Sequence, residues 1–175
     1  AKFYGLPCRS GGGLTDSKAV DGQAGYESAI MLMAPVSAGT NIILHTTGIL
    51  QYWLCMSFEK FILDTEIAGI MRRFRRGLEI DEDSLAVEVV KKVGPGNHFL
   101  NQKHTRTHHK TEFRKPLLSD RQSFEGWSIE SLTAEDRAYQ LCQKMIDDYE
   151  DPGLDESLQK ELQSYIESRK EEILK

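Results

Sequence analysis

The feature that most constrains this chain is the run Asn41-Ile42-Ile43-Leu44-His45, short, β-branched and apolar, set between two long helical patterns. A strand of this kind, followed at once by Thr46-Thr47-Gly48, suits a parallel sheet covered on both faces by helices. The helix before it is expected from about Ser17 to Met33, capped by Thr15 and Asp16 and stopped at Pro35. Its second half, Ala29 to Ala34, is apolar on all sides, which predicts burial. The helix after the strand is expected from Ser57 to Arg76, with Phe58, Phe61, Ile62, Ile67, Ile70, Met71 and Phe74 as its apolar stripe and Gly77 as its stop.

Upstream, Phe3 to Cys8 reads as a further short strand running into a loop at Arg9-Ser10-Gly11-Gly12-Gly13. Downstream, Asp81 to Val93 predicts a helix stopped by Gly94-Pro95-Gly96. Residues 97–127 lose periodicity and read as a long loop rich in His, Arg, Thr and aromatics. Thr133 is expected to cap a helix burying Ala138, Leu141, Cys142, Met145, Ile146 and Tyr149. After a break at Asp151-Pro152-Gly153, with Asp151 as cap and Pro152 in the first turn, a last helix aligns Leu154, Leu158, Leu162, Ile166 and Ile173.

This order predicts an α/β fold of βα units: residues 1–130 with the long loop 97–127, then terminal helices over 131–175. Two or three strands cannot close a (β/α)₈ barrel, which takes about 250 residues. The expectation is therefore the C-terminal portion of such a barrel, its N-terminal half lying outside the 175 residues, and the abrupt start in a strand-like segment agrees. Three widely spaced cysteines without a CxxC suit a reducing, cytoplasmic setting. The net charge of −5 argues against a nucleic-acid partner, and no apolar run reaches the ~18 residues of a membrane span.

His45 stands at a strand's C-terminal end, where barrel enzymes place their chemistry; the plain alternative is a buried, satisfied histidine. Gly12 and Gly13 precede the predicted cap at Asp16, so their N–H groups and the helix N-terminus could receive an anion, or form a simple turn. Glu27 is a carboxylate on a helix expected to be buried, and needs a partner. Arg72, Arg73, Arg75 and Arg76 complement the end of their helix and face solvent. His98, His104, His108 and His109 invite a metal, but in a loop they suit neutral or partner-contacting roles better, and no metal is expected.

Taken together, residues 5–27 (GLPCRSGGGLTDSKAVDGQAGYE), 41–50 (NIILHTTGIL) and 97–127 (NHFLNQKHTRTHHKTEFRKPLLSDRQSFEGW) resemble the trimethylamine methyltransferase family. The resemblance runs the length of the chain. It implies a (β/α)₈ barrel and transfer of a methyl group from a methylated amine to Co(I) of a cognate corrinoid protein. The corrinoid would be carried by that partner, with no cofactor bound by this chain directly. Members that demethylate trimethylamine carry pyrrolysine; here ordinary glycines and Leu14 occupy the loop where it would be sought, which implies the quaternary-amine branch, with glycine betaine as the substrate type.

A quaternary ammonium leaves as a neutral amine and needs no further activation, in agreement with that branch. The resemblance places His45 in the pocket as the catalytic candidate, with Tyr4, Gly12, Gly13, Tyr26 and Glu27 as further substrate-binding candidates. Tyr52 and Trp53 are added as aromatic faces for a cation, the alternative for all these aromatics being core packing. Self-association is expected from apolar surface left uncovered. Two other readings stand beside this one: a non-catalytic module binding a betaine or a corrinoid protein, and a metal-dependent hydrolase built on the histidines.

Overall fold

The computed structural model describes residues 1–151 and 153–174. They divide into two compact units, Ala1–Gln143 and Lys144–Lys175.

In the first unit, strand β1 (Arg9–Gly11) and strand β2 (Ile42–Leu44) pair in parallel, Arg9 opposite Ile42 and Gly11 opposite Leu44. Helix α1 (Gly22–Ala38) connects them, and helix α2 (Phe58–Arg76) follows β2. The order is βαβα, as the sequence predicts, and the mixed, helix-rich architecture agrees with an α/β class. The first strand is displaced from its expected place. Residues 2–4 form a 3-10 turn ended by Gly5, and the strand uses Arg9 to Gly11, read above as loop. The anchor is Asn41, whose side chain accepts from Cys8 N–H while its own N–H donates to the Cys8 carbonyl.

Helix α1 starts five residues later than predicted. Asp21, with its side chain accepting from Ala24 N–H, is the cap, and neither Thr15 nor Asp16 is. Pro35 does not stop it: the helix runs on to Gly39, whose left-handed backbone ends it. Of its apolar second half only Leu32 and Pro35 are buried, and Ile30, Met31 and Met33 are exposed because no described residue covers their faces. For the same reason Ile42 and Leu44 of β2 are exposed, against the expectation of a strand covered on both sides.

Helix α2 has the predicted bounds, capped by Ser57 and ended at Gly77. Its buried face is a different one. Ile62, Ile67 and Met71 are inside, but Phe58, Phe61, Ile70 and Phe74 are exposed, and Lys60, Asp64 and Glu66 take buried positions. One core joins Leu32, Ile67 and Met71, with Ile43 and Val36 against it. A second joins Ile62, Leu118, Ala138 and Cys142.

Strands β3 (Ile49–Leu50) and β4 (Cys55–Met56) form a short antiparallel hairpin whose tip, Gln51 to Trp53, is a 3-10 turn. The helix expected over 81–93 is broken at Ala86 (φ 50°) into α3 (Glu82–Leu85) and α4 (Val87–Val93), Gly94 ending the second. The segment expected to be one long loop holds helices α5 (Lys103–Glu112) and α6 (Phe124–Trp127). Arg73 and Arg76 do not simply face water: both reach Glu112 at 2.9 Å and backbone carbonyls of α5.

Helix α7 (Ala134–Asp147) is capped by Thr133 and buries Ala138 and Cys142, while Met145, Ile146 and Tyr149 are exposed. In the second unit, α8 (Glu156–Ile173) is capped by Asp155 and not by Asp151, whose side chain accepts from Gly153 N–H in the break. Its stripe Leu158, Leu162 and Ile166 is exposed. Pro152 lies outside the described residues. No described helix is long and apolar enough to cross a membrane.

Candidate functional site

Because β1 and β2 run parallel, the segments leaving their C-terminal ends emerge on one side of the pair, and these segments carry the site. Gly12 and Gly13 follow β1; His45 to Gly48 follow β2. The two loops are in direct contact. A side chain at Gly12 would meet the Leu44 carbonyl oxygen at 2.8 Å, and one at Gly13 would meet the Thr46 carbonyl oxygen at 2.5 Å. The glycines are thus required by close backbone approach. They are buried, and α1 begins at Gly22, so the combination of glycine N–H groups and helix N-terminus foreseen for an anion does not occur here.

Beneath the loops runs a buried polar relay. The Gly13 carbonyl accepts from the Ser28 hydroxyl (3.0 Å), Ser28 Oγ accepts from Lys60 Nζ (2.8 Å), and Lys60 Nζ holds both oxygens of Asp64 at 2.5 Å. Asp64 Oδ2 finally accepts from Gly48 N–H (2.9 Å). The Lys60 and Asp64 side chains are fully buried. Burial pushes the Asp64 carboxyl above its ordinary range, against the pull of the Lys60 ammonium and the Gly48 N–H. Side chains of α1 and α2 therefore fix both loops, each by one backbone group.

Among the described residues His45 itself is exposed. Its backbone is left-handed (φ 55°), and its ring lies against Trp53, centroids 3.8 Å apart. Gln51, Tyr52 and Trp53 also have positive φ (49°, 50° and 81°). Four non-glycine residues in this region within nine positions amount to stored strain of ~1–3 kcal/mol each. Two hydrogen bonds hold the hairpin tip: Gln51 N–H donates to the Ser17 carbonyl and Tyr52 N–H to the Thr15 carbonyl, both at 3.0 Å.

Glu27 has the partners its position demanded. One oxygen accepts from the Thr15 hydroxyl (2.6 Å) and the Asp16 N–H (2.9 Å), the other from Gln23 Nε2 (3.0 Å). The Thr15 hydroxyl and Asp16 N–H, aided by Gln23 and the Lys18 charge, hold its carboxyl below the usual range. Beside it opens a cavity of about 220 Å³ lined by Leu14, Thr15, Asp16, Glu27, Ile30, Met31 and Tyr52. A carboxylate, a phenol ring and apolar walls meet there.

Of the residues singled out in the sequence, Gly12, Gly13 and His45 thus meet at the strand ends, while Glu27 and Tyr52 share the cavity. Tyr4 and Tyr26 join neither group. Tyr4 sits on the N-terminal 3-10 turn with its ring edge-on to Phe3, and Tyr26 is exposed on α1. Among the described residues, Tyr4, Tyr26, Tyr52 and Trp53 are all exposed. Ser28, Lys60 and Asp64 were not foreseen. The available signal was a Lys-x-x-x-Asp pair in line with Ile67 and Met71 at helical spacing.

Comparison with known proteins decides the family. Residues 1–174 match the family described as trimethylamine methyltransferase (MTTB). The chain belongs to the trimethylamine methyltransferase family. It is 51% identical over 173 residues to a glycine betaine methyltransferase of Desulfitobacterium hafniense (strain Y51), covering 99% of this chain and 36% of that protein. It is 31% identical over 169 residues to the trimethylamine methyltransferase MttB of Methanosarcina barkeri, covering 95% and 34%. A further MttB, from Desulfitobacterium hafniense (strain DSM 10664 / DCB-2), is 29% identical over 173 residues, covering 98% and 34%. The chain spans about a third of the length of the curated relatives it matches.

Proposed function

We propose that this chain supplies part of the active site of an enzyme that takes a methyl group from a quaternary methylated amine of the glycine betaine type. The observation that carries the reading is the cavity in which the ionised Glu27 carboxylate, the Tyr52 ring and apolar Leu14, Ile30 and Met31 meet. A methylated ammonium is a cation with an apolar skin. Such walls suit the methyl groups, and a carboxylate and an aromatic ring suit the charge. The 51% identity to a glycine betaine methyltransferase supports the same substrate class.

In this reading β1, α1, β2 and α2 are consecutive units of a (β/α)₈ barrel, and the His45 side is its catalytic face. The methyl acceptor is Co(I) of a corrinoid carried by a cognate partner protein, which supplies the nucleophile; the corrinoid is the partner's and not this chain's. As the N–CH₃ bond breaks, nitrogen keeps the electron pair and leaves as a neutral amine, so the protein's task is to hold that carbon in line. His45, fixed by its left-handed backbone and by Trp53, is assigned to contact the substrate.

The test mixes the full-length protein with reduced corrinoid protein and glycine betaine, following the Co(I) absorbance. Methylation supports the enzyme; binding of betaine without turnover supports a non-catalytic module instead. His45→Ala is expected to lower methyl transfer about 10–100-fold, equivalent to ~1.4–2.7 kcal/mol of barrier. An unchanged rate would remove His45 from the site. Residues 1–175 alone are expected to be inactive.

A further inference from the structure

Away from the strand ends, α5 carries His104 and His108 one helical turn apart on one face. Opposite them stands Asp83 of α3. His108 Nε2 lies 2.9 Å from Asp83 Oδ2, and His104 Nε2 lies 2.8 Å from the Asp83 carbonyl oxygen and 3.8 Å from its Oδ1. The two rings are 4.3 Å apart, and one donor atom from each of the three residues falls within 4.8 Å of the others. Cavities of about 670 and 380 Å³ open on the cluster; Asp83 and His104 line both.

We propose that Asp83, His104 and His108 form a binding site for a divalent transition metal ion of the zinc class. Two imidazole nitrogens and one carboxylate oxygen suit zinc and its late first-row neighbours, whereas calcium and magnesium prefer all-oxygen shells. Zinc holds such ligands at about 2.0–2.2 Å, so two ligands of one ion stand at most about 4.4 Å apart. The present spread closes by small rotations of the side chains, and Asp83 is the freest of the three, with 69% of its side chain exposed. His108 Nε2 and Asp83 Oδ2, which now share a hydrogen bond, would share the ion instead, and His104 Nε2 would exchange the Asp83 carbonyl for it. Coordination through Nε2 places each ring's remaining proton on Nδ1.

Among the described residues, Asp83, His104 and His108 are a group whose donor atoms one ion could reach together. Asp83 is presented by a helix turn that Asp81 and Ser84 fasten with reciprocal hydrogen bonds, and the left-handed Ala86 closes that turn. Glu112, one further turn along α5, also lines one cavity, but Arg73 and Arg76 occupy both its oxygens. With these three as its protein ligands, a four-coordinate ion would keep one position for water. The loop expected over residues 97–127 argued against a metal because it gave the histidines no common face; helix α5 supplies one.

The experiment uses the purified full-length protein, stripped with chelator and titrated with Zn²⁺ against a chromophoric competitor. One equivalent is expected. His104→Gln and His108→Gln should each weaken it by more than the 10–100-fold typical of losing an outer-shell partner, and Asp83→Asn should weaken it measurably. His109→Gln, on the same helix but outside the cluster, should leave it unchanged. Absence of binding, or binding that survives in folded His104→Gln and His108→Gln proteins, overturns the proposal and leaves a hydrogen-bonded clasp. Should those variants not fold, peptide-mapped carbethoxylation of the native protein decides. Zn²⁺ should protect His104 and His108 but not His109, and equal labelling with and without Zn²⁺ overturns the proposal.

Discussion

Replacing Lys60 by Met tests whether the buried relay sets the geometry of the site. Lys60 Nζ makes three contacts at 2.5–2.8 Å, and its removal leaves the buried Asp64 carboxylate with only neutral donors, the Gly48 N–H and the Ser28 hydroxyl. Stripping one partner from a buried pair costs about 3–5 kcal/mol, because the surviving charge is neither solvated nor matched. Against a typical total of ~5–15 kcal/mol, that is a large share of the stability. Urea unfolding of the full-length protein should show the loss.

The pH dependence carries the diagnostic part. Burial already holds the Asp64 carboxyl above its ordinary value of 3.8, and without the Lys60 ammonium it rises further. A carboxyl with a raised folded pKa binds more protons in the folded state than in the unfolded one, so stability falls as pH rises above the unfolded value. The deficit of Lys60→Met should accordingly shrink as the pH is lowered toward 4. The double variant Lys60→Met/Asp64→Leu should recover much of the loss, short of the ~1–3 kcal/mol for an unpaired Gly48 N–H. A single-variant loss below about 1 kcal/mol, or a deficit that grows on acidification, would refute the account.

Two further outcomes follow from the site. Gly13→Ala puts a methyl group 2.5 Å from the Thr46 carbonyl oxygen, so the loops must part; a loss of ~1–3 kcal/mol in urea unfolding is expected, together with slower methyl transfer. Glu27 has a folded pKa below its ordinary 4.5, so its hydrogen bonds stabilise the fold above that value and are lost as pH falls through the folded pKa. Glu27→Gln should therefore be less stable than the native protein near neutrality, and the gap should close in acid; a gap independent of pH would contradict this.

The sequence alone determined what depends on local pattern. The strand at Ile42 to Leu44, the helix from Phe58 to Arg76 and the stop at Gly94 follow from β-branched runs, helical periodicity and glycine, which act over a few residues. His45 at the end of a strand, and Glu27 in need of partners, were legible for the same reason. Tertiary structure decided the rest. A helical wheel shows which residues share a face but not which face is covered, so only the packing of α1 on α2 turned Lys60 and Asp64 inward and Phe58 and Phe74 outward. Tyr52 came to the Glu27 cavity because carbonyls of residues 15 and 17 hold a left-handed hairpin tip, a conformation no propensity favours. Asp83 met His104 and His108 across 21 and 25 residues of chain, and sequence spacing carries no record of such a meeting.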